Sequence, residues 1–358
     1  MAQEGIHLVM VEDREGRRDQ TLRWLSGHPG DALLFLCADQ CSLLVPWDVN
    51  LAKLHGEVDI LLPYAEFERQ PVNALRGVTE RLNVPKGARI EIPRATSYPR
   101  FLNYVEELSD FDVICHEGGV WAELEKRRAI KDEDEIEIYR EISAMTDEII
   151  KSLEKNIRAG KLKTETDVAL FIDRESRKMG CEGTGFQTIA AGPARSFGIH
   201  AFPSYTAESF GGSGLSILDF GLKYLGYTSD VTLTFAGEPL SKPQEKMLTL
   251  MEKAYKLALS MLKSGESARN VGMAVDAFFG RNKKAMPHAL GHGIGLDAHE
   301  APSLSSRADN DWVLEPGMIL TIEPGLYHPV HGGCRVENDI LITENGPEVL
   351  TNSGIVRL

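Results

Sequence analysis

The sequence has 358 residues, of which 42% are hydrophobic and 26% charged, enough for two domains with sizeable cores and a wet surface. Its 39 basic and 53 acidic side chains give a net charge of −14, which disfavours nucleic acid and anionic membranes as partners. The five cysteines are scattered and odd in number, and neither a signal peptide nor an apolar run of about 18 residues is evident. We therefore expect a cytoplasmic protein with no membrane partner.

The first third of the chain alternates short apolar runs with helical stretches. Strands are predicted at 32–37, 42–45, 58–62, 88–92 and 112–115, and helices at 71–82 and 98–108. This alternation is typical of a small α/β domain, to which we assign residues 1–130.

The rest of the chain repeats one pattern of elements. An amphipathic helix at 133–158 is followed by a second helix that Thr164 caps and Gly180 ends. About a hundred residues later a helix from Ser241 to Gly265 precedes another at 268–280, and strands follow each pair. The doubled unit predicts a pseudo-symmetric domain over residues 131–358.

Three acidic residues lie at the ends of predicted strands in this second domain. Asp219 ends the apolar run 215–218, Asp230 opens 231–235, and Glu323 follows 318–322. A buried unpaired carboxylate costs several kcal/mol or loses its charge, whereas a cation would neutralise it. The positions therefore point to a metal site.

Two hairpins are predicted to bring carboxylates together. A turn between Tyr224 and Leu225 would set Asp219 directly opposite Asp230. The strand that returns after the loop at 332–333 carries Glu337 back towards Glu323. Side-chain alternation places Arg335, Glu337 and Asp339 on one face, so that Arg335 becomes a natural partner of the carboxylates.

A histidine supplies the fifth predicted ligand. His288 and His292 are four residues apart, as in a helical zinc pair, but glycines at 291, 293 and 295 argue against a helix. A close-packed extended strand fits better. One imidazole among four carboxylates is suited to Mn, Co, Fe or Zn.

The segments LDFG…GYTSDVTLTF, PHALGHGIGLDAHE, LEPGMILTIEPGLY and GGCRVENDILIT resemble the pita-bread metallopeptidase family, which includes prolidase, aminopeptidase P and methionine aminopeptidase. The resemblance covers roughly residues 131–358. The short sequence interval between Glu323 and Glu337 is similar to the corresponding interval in compact microbial Xaa-Pro dipeptidases. It implies an α+β fold, a pseudo-symmetric pita-bread catalytic domain preceded by a smaller α/β creatinase-like domain.

The resemblance also implies a reaction and a site. Two divalent ions (Mn, Co, Zn or Fe) would be held by five ligands and would hydrolyse the peptide bond before proline through a bridging hydroxide. The ligands carried over by position are Asp219, Asp230, His292, Glu323 and Glu337, with Asp230 and Glu337 bridging. Catalytic roles are implied for Glu323, His200, His299 and Arg335, and substrate contacts for His288, His200 and His299. Small peptides are the expected substrate, and the expected assembly is a homodimer.

Several alternatives stay open at this point. His288 is either a structural histidine or a substrate contact, His328 and His331 are interpreted as solvated loop residues, and Cys334 as a buried inert thiol. Leu233 stands where the family commonly has arginine, and the N-terminal domain is compact, which leaves dipeptidase and aminopeptidase activities both open. The alternative functions are a methionine-aminopeptidase-type exopeptidase and a non-peptidase pita-bread hydrolase or binding scaffold.

Overall fold

The computed structural model describes residue 1 and residues 5–358, which divide into two compact units, Met1–Lys126 and Arg127–Leu358. Within this part of the chain, every helix is too short or too polar to cross a bilayer. The assignment of residues 1–130 and 131–358 to separate functional domains remains our proposal.

The first unit contains a mixed six-stranded sheet in the order β4-β3-β2-β1-β5-β6. Its strands are β1 (Ile6–Asp13), β2 (Ala32–Cys37), β3 (Ser42–Pro46), β4 (Ile60–Leu61), β5 (Arg89–Glu91) and β6 (Asp112–Ile114). Its helices are α1 (Gln20–Ser26), α2 (Val49–His55), α3 (Pro71–Arg81) and α4 (Tyr98–Glu107), and α5 (Gly119–Ala129) runs across the boundary between the units. Alternate β1 side chains belong to two separate apolar cores, one on each face of the sheet.

Sequence analysis missed β1 and the helices α1, α2 and α5. The strand β1 is buried on both faces, so it lacks the alternation that marks a half-buried strand. Helices α1 and α2 each have seven residues, too few to show a helical period.

The second unit contains two helix pairs. Its helices are α6 (Glu133–Arg158), α7 (Glu165–Lys178), α8 (Lys242–Met261) and α9 (Ala268–Arg281). Helix α6 has the predicted bounds, and Thr164 caps α7 as the sequence indicated. Helix α8 ends four residues before the predicted Gly265, because Leu262 already has extended dihedral angles.

Each helix pair precedes a sheet. The strands are β7 (Gly183–Thr184), β8 (Ile189–Ala191), β9 (Gly214–Phe220), β10 (Leu222–Tyr224), β11 (Tyr227–Thr228), β12 (Val231–Gly237), β13 (Gly291–Gly293), β14 (Glu300–Leu304), β15 (Ile319–Ile322), β16 (Gly325–His328), β17 (Gly332–Arg335), β18 (Asn338–Thr343), β19 (Gly346–Val349) and β20 (Ile355–Arg357). The two larger sheets have the orders β20-β12-β9-β8 and β14-β13-β15-β18-β19.

The two halves of this unit meet where β12 passes the segment between β17 and β18. Thr232 and Glu337 exchange backbone hydrogen bonds of 3.3 and 3.1 Å in an isolated antiparallel bridge. The hydroxyl of Thr234 donates to the Arg335 carbonyl at 2.7 Å and accepts from its amide at 3.0 Å. The strand that follows Asp230 is thereby fixed against the strand that carries Glu337.

Candidate metal centre

Asp219 and Asp230 lie on neighbouring strands, but they are not directly opposite as predicted. Asp219 pairs with Thr232 in the β9–β12 ladder. The chain turns at Leu225 and Gly226, which have φ of 48° and 90°, one residue later than the predicted turn centre. This shift moves the register by two residues and makes the two aspartates diagonal neighbours on one face of the sheet.

Glu323 and Glu337 lie across from each other at the predicted position. The ladder before them pairs Ile322 with Asn338, and the ladder after them pairs Gly325 with Arg335. Both ladders have the same register, and continuing either one sets Glu323 opposite Glu337. The hairpin therefore brings two carboxylates to one place, as the sequence indicated.

His292 occupies the short strand β13, and the prediction of an extended, close-packed segment is confirmed. A Cβ atom on Gly291 would lie 2.0 Å from the Thr321 carbonyl oxygen, and one on Gly293 would lie 2.1 Å from that of Ala301. The flanking glycines are thus required for His292 to approach its neighbouring strands.

The imidazole of His292 faces three of the carboxylates. Its Nε2 atom lies 3.8 Å from Asp230 Oδ2, 3.8 Å from Glu323 Oε1 and 4.0 Å from Glu337 Oε1. Asp230, His292 and Glu337 each offer a ligand atom, and these atoms lie within 4.8 Å of one another. Since metal–ligand bonds are about 2.0–2.2 Å long, ligand atoms at these separations can share one ion.

The carboxylates are charged groups held out of water. Burial is the main reason why the pKa of Glu337 rises to about 7 and those of Asp230 and Glu323 rise well above their usual values, and repulsion between the carboxylates adds to it. One oxygen of Asp219 and one of Asp230 are buried with no hydrogen-bond partner among the described residues. Two buried carboxylate oxygens without a hydrogen-bond partner are what a binding site for divalent cations would offer.

Arg335 contacts Asp219 directly. Its Nη2 donates to Asp219 Oδ2 at 2.5 Å, and its Nη1 donates to the Tyr327 hydroxyl at 2.7 Å and the Ile199 carbonyl at 3.1 Å. Its Nε donates to the Thr232 hydroxyl at 3.0 Å. The guanidinium is fully buried and fixes four different segments around the carboxylates.

The hydroxyls of Thr232 and Tyr327 were not anticipated from the sequence. Thr232 donates its single hydroxyl hydrogen to Glu337 Oε2 at 2.7 Å while it accepts from Arg335. Tyr327 accepts from Arg335 and lies 3.0 Å from His288 Nε2. The position of Thr232, two residues after Asp230 on the same strand face, was a signal that could have identified it.

The three other predicted histidines are placed around this cluster. The ring of His299 lies against that of His292, with centroids 4.0 Å apart and planes tilted by 38°. The exposed His200 lies close enough to Asp219 to lower the pKa of that carboxyl, which burial raises. His288 lies with Nδ1 3.8 Å from Glu323 Oε2, and burial lowers its pKa to about 4. All three therefore border the carboxylates.

His328 and His331, interpreted as solvated loop residues, are half-buried, and His328 ends strand β16, whereas Cys334 is the buried thiol that was expected. His328 and His331 stack on each other near the β16–β17 turn, with ring centroids 4.4 Å apart. Cys334 is fully buried, and burial raises the pKa of its thiol to about 12. A thiol held protonated in this way is a poor nucleophile and metal ligand.

Burial of Glu337 leads to a testable pH dependence of stability. A carboxyl whose pKa rises from 4.5 unfolded to about 7 folded makes the metal-free protein less stable as pH rises through that interval. Wild type should lose more stability with rising pH than Glu337→Gln, because glutamine has no proton to lose and no longer repels Asp230 and Glu323. The measurement is urea unfolding of both chelated proteins between pH 4.5 and 8.

Because burial lowers the pKa values of His288 and His292, these residues make the free energy of unfolding rise with pH in both proteins. Their contribution cancels when the two free energies of unfolding are subtracted. Manganese-loaded wild type serves as the control. Metal competes with protons for the carboxylates, so its stabilising effect should grow with pH. Parallel pH curves for the two chelated proteins would contradict the assigned burial of this charge.

Comparison with known proteins identifies the family. The model of metallopeptidase family M24 matches residues 137–344. The chain belongs to metallopeptidase family M24. An Xaa-Pro dipeptidase from Pyrococcus horikoshii is 32% identical over 70% of this chain and 70% of that protein. An uncharacterized peptidase from Methanocaldococcus jannaschii is 33% identical over 65% of this M24 chain, which spans about two thirds (66%) of that relative.

Solved structures resemble the M24 chain over its whole length. An X-Pro aminopeptidase from Thermotoga maritima is 25% identical, with a TM-score of 0.82 over 99% of this chain and 98% of that one. A prolidase from Pyrococcus furiosus has a TM-score of 0.83 at 24% identity, over 99% and 98% of the two chains. The predicted pita-bread fold is confirmed, and the family and its relatives place the chain among the metallo-exopeptidases.

Proposed function

We propose that this protein hydrolyses the peptide bond before proline, in Xaa-Pro dipeptides or at the N-terminus of short peptides, with two divalent metal ions. The observation that carries the proposal is the convergence of buried carboxylates on His292, with two carboxylate oxygens lacking partners among the described residues. The Xaa-Pro dipeptidase and X-Pro aminopeptidase names of relatives support the substrate class.

The ligands in this proposal are Asp219, Asp230, His292, Glu323 and Glu337. Asp230 and Glu337 would be the ligands shared by both ions, as the family resemblance implies. Each has an oxygen within 4.0 Å of His292 Nε2, and Asp219 adds to the burial that raises the pKa of each carboxyl. When bound, such ions lower the pKa of water and polarise a scissile carbonyl. The donor set of four carboxylates and one imidazole suits Mn, Co, Fe or Zn and contains no thiolate.

The protein's own side chains handle the proton and the substrate. Glu323 is the least enclosed of the carboxylates, with 17% of its side chain exposed, and its raised pKa suits a group that accepts a proton from water and passes it to the proline nitrogen. His299 and His200 orient the substrate carbonyl and stabilise the oxyanion. Arg335 holds Asp219, and His288 orients the substrate together with Tyr327.

Proline explains why a dedicated enzyme is needed. Its tertiary amide has no N–H, and its fixed φ is unsuited to the extended mode in which general proteases bind substrates. A site that packs against the pyrrolidine ring gains about 1–3 kcal/mol from that contact. Peptides are thus the proposed partners, and we further propose a cytoplasmic homodimer.

The test is hydrolysis by the manganese-reconstituted protein of Leu-Pro and Leu-Ala dipeptides, Leu-Pro-Ala tripeptides and Met-Ala peptides. Proline substrates are expected to exceed their alanine counterparts in kcat/KM by roughly 10- to 200-fold. Excess EDTA should remove the activity, and elemental analysis should find up to two ions per chain.

Each result separates the candidate functions. Equal kcat/KM for proline and alanine substrates would refute the Xaa-Pro assignment, and a preference for N-terminal methionine would indicate methionine-aminopeptidase activity instead. Full activity in EDTA, with no bound metal, would refute the metal-dependent reaction itself.

A further inference from the structure

A fully buried carboxylate lies at the start of α7, outside the ligand cluster. Glu165 accepts four hydrogen bonds: from the Gly192 amide at 2.8 Å, from Arg195 Nη1 at 2.9 Å, and from the Thr206 amide and hydroxyl at 2.7 Å each. Charge-assisted hydrogen bonds of this kind are about twice as strong as neutral ones. Glu165 is therefore a strong local anchor that the proposed reaction does not use.

The partners of Glu165 lie at the two ends of one segment. Residues 192–206, here called the His200 loop, begin at Gly192 and end at Thr206. The far end is fixed twice more, because the amide and hydroxyl of Thr166 donate to the Thr206 carbonyl at 3.0 and 2.7 Å. Arg195 additionally donates to the Pro203 carbonyl across the loop. One carboxylate thus closes the loop at its base.

The middle of the His200 loop reaches the candidate metal centre. The Ile199 carbonyl accepts from Arg335 Nη1 at 3.1 Å, and Arg335 in turn holds Asp219. His200 follows Ile199 directly in the chain and lies near Asp219. A change at the base of the loop would therefore be transmitted to a histidine and an arginine beside the carboxylates.

We propose that Glu165 is a positioning residue that fixes His200 and the Ile199 carbonyl at the metal centre by closing the His200 loop. The proposal rests on the proposed function for its kinetic consequence, since His200 is assigned there to the substrate carbonyl. The anchor itself is a property of the fold and is measurable without turnover.

The discriminating variant is Glu165→Gln. Glutamine keeps the shape, but its NH2 group must face either the Gly192 amide at Oε1 or the three donors that share Oε2, and the charge partner of Arg195 is lost. In the manganese-loaded protein kcat should fall roughly 10- to 100-fold, the range for loss of a hydrogen-bonding group that orients a residue at a metal centre, while bound metal and KM change little. Adding His200→Ala to Glu165→Gln should lower kcat almost no further, because each change alone already removes the contribution of His200 to kcat.

The matched control is Asp167→Asn in the first turn of the same helix. Asp167 is exposed and accepts from the amides of Lys163 and Thr164 at 3.0 and 2.9 Å, with no hydrogen bond to the loop. This variant weakens the helix start and should lower Tm while kcat stays at the wild-type value.

Hydrogen exchange of the metal-free protein provides a readout that does not depend on activity. Amides of residues 192–206 should exchange faster in Glu165→Gln than in wild type and Asp167→Asn, and the NMR signals of the His200 ring should shift in Glu165→Gln alone. Unchanged exchange and ring signals, or kinetic losses that add to those of His200→Ala, would overturn the inference. A wild type that cleaves no peptide would refute the proposed function, and the exchange and NMR comparison would still decide the role of Glu165.

Discussion

Glutamine in place of Glu337 is expected to lower kcat/KM by roughly 10³-fold or more and to leave the protein with less than its full metal content. Glu337 lies opposite Glu323, 4.0 Å from His292 Nε2, and receives the Thr232 hydroxyl on its other oxygen. An amide has no charge to bridge two cations, so both the affinity for metal and the catalytic chemistry should be lost together. Elemental analysis and kinetics with a proline dipeptide check the result.

The control for this experiment is Glu348→Gln on the adjacent strand β19. Glu348 is half-buried, with 42% of its side chain exposed, and its 3.4 Å ion pair with Arg140 is of a kind that contributes about 0–1 kcal/mol. Activity and metal content should therefore match wild type. A Glu337→Gln protein that is folded, fully loaded with metal and active would show that Glu337 is not a ligand.

The positions of the acidic residues could be predicted because burial of charge is unusual. Asp219 lies within an apolar strand, Asp230 directly precedes one and Glu323 directly follows one, which is unfavourable unless a cation compensates for the charge. The glycines beside His292 were equally informative, since they excluded a helix and required close approach of other strands. These signals can be detected within one short segment, without knowing which other segments it contacts in the fold.

The register of the first hairpin was not predictable from the midpoint of the sequence. The turn places Leu225, not only Gly226, at positive φ, and a non-glycine residue in that conformation is uncommon. Moving the turn by one residue shifts the cross-strand partner of every residue in the hairpin by two positions, so that Asp219 pairs with Thr232 and not with Asp230. Asp219 remained on the correct face, because the side-chain period of a strand is two.

The hydroxyls of Thr232 and Tyr327 and the carboxylate of Glu165 were not identified as supporting groups from the sequence. Thr232 and Tyr327 are residue types that occur at countless neutral positions, and only the placement of Arg335 gives them a role. Glu165 was visible in the sequence merely as part of a helix start. Its contacts with Gly192 and Thr206 join segments that the linear pattern does not connect.

Removal of the His299 imidazole is expected to lower kcat by roughly 10²-fold while the metal ions stay bound. The His299 ring lies tilted against that of His292 and makes no hydrogen bond or ion pair to the carboxylates within the described part of the chain. Burial lowers its pKa, so the ring is neutral near pH 7. A neutral imidazole donates one hydrogen bond and suits the stabilisation of an oxyanion.

The fold around His299 should tolerate His299→Ala, because its flanking residues are anchored separately. Arg128 donates to Asp297 at 2.8 Å and also to Glu300, and Lys131 lies 3.5 Å from the second oxygen of Glu300. We therefore expect a Tm near that of wild type, an unchanged metal content by elemental analysis and a loss confined mainly to kcat. His331→Ala, in the stacked pair near the β16–β17 turn, is the control and should behave as wild type. Loss of metal from His299→Ala would instead place this histidine among the ligands, and unchanged kcat would remove it from the reaction.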